Sequence, residues 1–130
     1  MGWRHDTREA IRKYPELKRR DRELKETALI AQYGGRIGGK STETSRTAEA
    51  AAMRQLPRDE QRELDAVSTA IQTTMRYRNG ELRIRIIDLV YWRNTHTLEG
   101  AAMEVHVSGK TAQGWHSDFV ELVDAYLRVL

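Results

Sequence analysis

The chain contains no cysteine. Disulfides and thiolate metal centres are therefore excluded, and the absence fits a cytoplasmic protein. Proline occurs only twice, which leaves most of the chain free to be helical. No apolar run approaches the roughly 18 residues of a membrane-spanning helix, so no membrane contact is expected. No secretory leader is expected either, because Met1-Gly2-Trp3-Arg4-His5-Asp6 opens on a charged segment. The four histidines, His5, His96, His106 and His116, share no ligand spacing on one helix face, and no metal or other cofactor is expected. We find no nucleophile–base pair and no paired carboxylates in an apolar setting, which makes an enzyme the least expected class.

What the chain does have is charge and helical periodicity. Its 130 residues, 32% charged and 39% hydrophobic, suffice for a modest core, and an all-α fold is expected. The net charge of +3 is uneven. Residues 1–40 carry 11 Lys/Arg against 6 Asp/Glu, residues 41–80 carry 6 of each, and residues 81–130 carry 5 against 7. A basic N-terminal arm facing a slightly acidic remainder suggests a polyanionic partner such as double-stranded DNA, although a solvated helix of mixed charge has the same composition.

The arm, residues 1–32, reads as helix over 6–32. Ala10, Tyr14, Leu17, Asp21, Leu24, Ala28 and Ala31 recur at alternating spacings of 4 and 3, a heptad-like seam interrupted at Asp21. That seam suits packing within the chain or a homodimer. Pro15 removes a backbone donor, so the firmer helix is expected to start there. Arg19, Arg20 and Arg22 are the arm's candidate phosphate contacts. Residues 33–47 read as a Gly/Ser/Thr linker, with Arg36 and Lys40 as further phosphate candidates. The helical domain follows over 48–130. A first helix is expected over about 46–56, ended by Pro57, and a second from Arg58, with Leu64, Val67, Ile71 and Met75 on one face. Asn79-Gly80 admits a β-hairpin or a helix boundary. The length of the following segment and its apolar run from Ile86 to Trp92 favour a helix over 81–93.

Gly34 to Ser41 spells G-x-x-x-x-G-K-S, the phosphate-binding loop pattern. Such a loop needs a buried strand before it and a parallel sheet around it. The preceding residues, Glu23 to Ile30, continue a charged helical seam, so the match is expected to be inert.

The most informative segment is 97–127. Thr97 is placed to cap a short helix bearing Leu98, Ala101, Ala102 and Val105. A brief turn at 105–107 leads to Ser108, which caps a longer helix with Ala112, Trp115, Phe119, Leu122 and Tyr126 at spacings of 3 and 4. That is the pattern of a helix-turn-helix. With the seam inward, Gly109, Lys110, Thr111, Gln113, Gly114 and Ser117 are left on the outer face. Lys110 and Gln113 have the chemistry to read guanine and adenine, and Thr97 and Ser108 to hold phosphates. A helical hairpin that docks on protein is the alternative, given the acidic balance of this half.

Residues 97–127, "TLEGAAMEVHVSGKTAQGWHSDFVELVDAYL" from Thr97-Leu98 onward, resemble the helix-turn-helix of sigma factor region 4. The chain as a whole resembles the RinA-type phage transcriptional activators, related in style to ArpU regulators. The likeness rests on "YPELKRRDRELKE" (14–26), "GGRIGG" (34–39), "STETSRTAEAAAMR" (41–54), Ala70-Ile71 and "VHVSGKTAQGW" (105–115). It implies a phage or prophage activator of late genes for packaging, structure or lysis, binding promoter DNA and acting with host RNA polymerase. The chain departs from the family in having only Lys110 as a cation near the second helix's start, with Gly109 and Gly114 beside it. A dimer or the basic arm would then have to supply affinity. The alternative classes are a small-terminase-type packaging protein, which would form rings, and an adaptor that binds protein alone.

Overall fold

A computed structural model of the protein describes residues 3–35 and 55–130. Every regular element among them is helical: α1 (Trp3–Gly35), α2 (Arg58–Met75), α3 (Gly80–Ile87) with a π-helical extension Asp88–Trp92, α4 (Leu98–Glu104) and α5 (Gly109–Val129). The all-α expectation holds. The helix expected over 46–56 and the phosphate candidates Arg36 and Lys40 lie outside the described residues, apart from Gln55 and Leu56, which are not helical.

The chain divides into two compact units. One comprises Glu16–Gln61. Its described apolar residues Leu17 and Leu56 are buried, while Leu29 and Ile30 are exposed. Within it Arg20 Nη1 lies 2.7 Å from Glu60 Oε2. That carboxylate oxygen is buried and poorly aligned for a hydrogen bond, so the contact is an ion pair rather than a directed bond. Asp21, the flaw in the apolar seam, pairs with Lys25 at 2.9 Å one helical turn on.

The other unit comprises Met1–Pro15 and Arg62–Leu130. It holds two apolar clusters. The first joins Ala10 and Ile11 of α1, Val67 and Ala70 of α2, Ile87, Tyr91, and Phe119, Val120 and Val123 of α5. The second joins Ile86 and Leu89 to Ala101, Ala102 and Val105 of α4 and Ala112 of α5. Three polar contacts reinforce the first cluster. Thr7 Oγ1 donates to Asp124 Oδ1 at 3.2 Å in a buried setting. The hydroxyls of Thr73 and Tyr126 are 2.9 Å apart, and Arg62 donates to the Leu127 carbonyl.

Four sequence expectations are corrected. α1 does not begin near Pro15 but runs through it from Trp3. Proline at 15 deletes the N–H that would bond the Ile11 carbonyl. The indole N–H of Trp92 takes that place, donating to Ile11 O at 2.9 Å, with the Tyr14 and Trp92 rings 5.4 Å apart. The helix also continues to Gly35, so Tyr33 to Gly35 are helical rather than linker; the residues before the G-x-x-x-x-G-K-S match are helical, as expected. Met75 is exposed, because α2 turns Ala66, Ala70 and Thr74 inward instead. The helix after Asn79-Gly80 is present, but it opens at Gly80 and widens at 88–92, where Arg93 N–H reaches Asp88 O at 2.7 Å, five residues back.

The Asn79-Gly80 pair is a helix boundary because of close approach. Asn79 adopts a left-handed φ of 60°. A Cβ on Gly80 would sit 2.5 Å from the Thr74 carbonyl oxygen and 2.8 Å from Met75 Cα. Only glycine lets α2 and α3 meet so tightly.

Trp92→Phe keeps the ring but leaves the Ile11 carbonyl empty, and should cost about 1–3 kcal/mol in chemical denaturation. Pro15→Ala returns an N–H to that carbonyl. It should therefore stabilise the Trp92→Phe protein more than the wild type, and a double-mutant cycle with zero coupling would refute this account.

Candidate nucleic-acid interface

The α4–turn–α5 segment is built from local signals. Thr97 is extended (φ −74°, ψ 169°) and its Oγ1 accepts from Gly100 N–H at 3.1 Å, which caps α4. At the other end His106 is left-handed, with φ 62°. Val107 N–H bonds the Ala102 carbonyl at 3.0 Å and His106 N–H that of Met103 at 3.2 Å. This paired pattern closes the last turn of a helix on its own carbonyls and reverses the chain at once. Ser108 follows, extended (φ −69°, ψ 154°), with its Oγ accepting from Thr111 N–H at 3.0 Å and donating to Thr111 Oγ1 at 2.9 Å. α5 starts at the next residue.

Ala101, Ala102 and Ala112 are fully buried where α4 and α5 meet, and Val105 and Val107 close the turn over them. Small side chains there permit close approach. Phe119 is buried, as the seam requires, and Trp115, Leu122 and Tyr126 are half-buried. Trp115 sits at the rim of the second cluster rather than inside it, because Arg83 lies over its outer face.

Gly109, Lys110, Thr111, Gln113, Gly114 and Ser117 are all exposed. Of these, only Thr111 has a side-chain role in the fold, through the Ser108 cap. A Cβ on Gly109 or Gly114 would meet nothing within 4 Å, so packing demands neither glycine. Thr97 and Ser108 are exposed too, but their oxygens serve as caps, and the Ser108 proton is committed to Thr111. In the arm, Arg19 bridges Glu16 at 2.5 Å and Glu23 at 2.6 Å, and the hydrogen bonds to both carboxylates raise its pKa. Arg20 is paired with Glu60. Arg22 is exposed and has no ion pair among the described residues.

Two groups beside α5 did not stand out in the sequence. Arg83 of α3 stacks over the rings of Trp115 and Tyr77, at 5.3 and 5.4 Å from their centroids, with Nη1 3.6 Å from Asp118 Oδ2. In the sequence it is one of two arginines alternating with apolar residues over Leu82-Arg83-Ile84-Arg85-Ile86. On α5's other side, His116 stacks on Tyr91, with centroids 5.6 Å apart and Nε2 2.7 Å from the Tyr91 hydroxyl. His116 lines a small cleft with Arg8, Ser117, Val120 and Glu121. Burial, helped by the Arg8 charge, lowers the His116 pKa, while burial raises that of Tyr91 against the pull of Arg8 and Arg12. An i, i+4 pair of arginines on α1 was the sole hint of this flank.

No protein-family model, curated protein or solved structure matches the chain. Among the described residues no three His, Cys, Asp or Glu side chains cluster as metal ligands, and no helix is long and apolar enough to cross a membrane.

Two measurements follow from this geometry. His116 has a folded-state pKa below its unfolded value of about 6.5, so the unfolded chain binds the proton more readily. The resulting stability is present above about pH 6.5 and is lost as pH falls from there through the folded pKa. Denaturation free energies should therefore fall from pH 7.5 to pH 5.5, and part of that fall should vanish in His116→Gln. Gly114→Ala should raise the melting midpoint, because glycine inside a helix costs roughly 0.5–1 kcal/mol relative to alanine; a drop would mean that Gly114 has a structural task after all.

Proposed function

We propose that the chain is a sequence-specific double-stranded-DNA-binding regulator in which α4 and α5 form a helix-turn-helix and α5 reads the major groove. The observation that carries this is the outer face of the first turns of α5. Lys110, Gln113, Gly114 and Ser117 share it, are exposed, and serve no packing or capping purpose. A helix about 10–12 Å across fits a groove about 12 Å wide, and side chains near its start reach base edges. Gly114 adds support. A glycine that costs helix stability without packing need is explained where a surface must come close.

The resemblance to RinA-type activators and to sigma factor region 4 supports reading this regulator as a phage or prophage activator of late genes, working with host RNA polymerase in the bacterial cytoplasm. One observation favours a second reading, an adaptor that docks on protein. Met103 of α4 is 77% exposed, and Asp118 and Glu121 extend the outer face of α5 with negative charge.

The test is protection of DNA from the protein's own genomic neighbourhood, followed by titration of single variants. Gln113→Ala should cost roughly 1–3 kcal/mol on the protected site and little on random DNA. Lys110→Ala should weaken both and lower the salt slope by about one. Folded variants that leave affinity and promoter activation untouched would turn the reading toward the adaptor.

A further inference from the structure

α5 has a different neighbour on each side of its outer face. Residues advance about 100° around a helix, so Trp115 lies on one flank and His116 on the other, with Asp118 and Ser117 beside them on the outer face. On the first flank, Arg83 spans Trp115, Asp118 and Tyr77, and its Nε donates to the Arg78 carbonyl at 3.2 Å. Arg83 thereby fastens the α2–α3 turn, residues 76–79, alongside α5. Arg76 and Arg78 on that turn are exposed and have no ion pair among the described residues. On the second flank, Arg8 lines the cleft with His116 and Ser117. It too is exposed and has no ion pair among the described residues. Its neighbour Arg12 is paired with Glu9 at 2.5 Å.

We propose that Arg8 on one side of α5, and Arg76 and Arg78 on the other, bind the two phosphate strands that border the groove α5 enters. This rests on the DNA-binding reading above. A helix lying in a major groove has a sugar–phosphate strand along each edge, so cations that hold it in register belong on its two flanks. An arginine already bridged to carboxylates must give up that pair before it takes a phosphate. Arg19 and Arg20 carry this handicap; Arg8, Arg76 and Arg78 do not. The proposal also explains how a reading helix with a single lysine reaches useful affinity: the neutralising charge comes from other helices.

The experiment measures the salt dependence of binding to a fluorescein-labelled mixed-sequence duplex, using the full chain. Phosphate contacts act on any sequence, and each one lost lowers the log–log slope by about 0.9. Arg8→Gln should lower it by about 0.9 and Arg76→Gln with Arg78→Gln by about 1.8, while Arg19→Gln leaves it unchanged. Arg8, Arg76 and Arg78 are exposed with no ion pair among the described residues, Arg19 is exposed and paired only with its own helix, and matching melting midpoints confirm that the variants stay folded. Wild-type slopes in the Arg8 and Arg76/Arg78 variants, with a lowered slope in Lys110→Ala, would overturn the flank assignment and leave the DNA reading standing. An absence of salt-dependent DNA binding by the wild type would sink the DNA reading, and this proposal with it.

Discussion

Ile86 and Ile87 are adjacent in the chain and belong to different cores. Ile86, with Leu89, faces α4 and the start of α5; Ile87, with Tyr91, faces α1, α2 and the rest of α5. The segment Gly80–Trp92 is therefore apolar on two sides and serves as the common wall of both clusters. A helix with two buried faces is anchored against rotation, since turning it to improve one cluster would empty the other. The whole placement of α5 relative to α4 depends on this. Ala112 at one end of α5 and Phe119, Val120 and Val123 further on contact opposite sides of the same wall. The π-helical widening at 88–92 falls where Tyr91 must reach His116 while Trp92 reaches Ile11.

The parts of the fold legible in the sequence were those with local causes. Thr97 and Ser108 could be recognised as caps because the capping contact is made three residues away. The helix after Asn79-Gly80 was legible from length, and the all-α class from periodicity. What escaped was set by distant partners. Pro15 looked like a helix start because the sequence does not reveal that an indole 77 positions later occupies the vacated carbonyl. Met75 looked like a core residue because periodicity gives a face, not its exact centre. The choice between neighbouring stripes of α2 is made by the helices against it.

The same division applies to the candidate interface. The outer residues of α5 were legible, since an amphipathic seam fixes both what it buries and what it leaves out. The electrostatic frame was not. Arg19, Arg20 and Arg22 stood out as a basic run, yet a run of charge says nothing about which members are already paired. Arg83 was hidden in an alternating segment, and its part is to use its charge internally, held between two rings and a carboxylate. Charge along the chain and charge available to a partner are separate quantities in this protein.

The bond between Thr7 and Asp124 spans 117 positions. During synthesis at roughly 5–20 residues per second, the first turns of α1 wait about 6–23 s before their partners on α5 exist. Throughout that interval Ala10 and Ile11 have no α5 to cover them. The fold is thus completed last-in, by the same helix that presents the outer face. A chain lacking α5 leaves the first cluster without Phe119, Val120 and Val123, so Ala10, Ile11, Val67 and Ala70 have nothing to close over them.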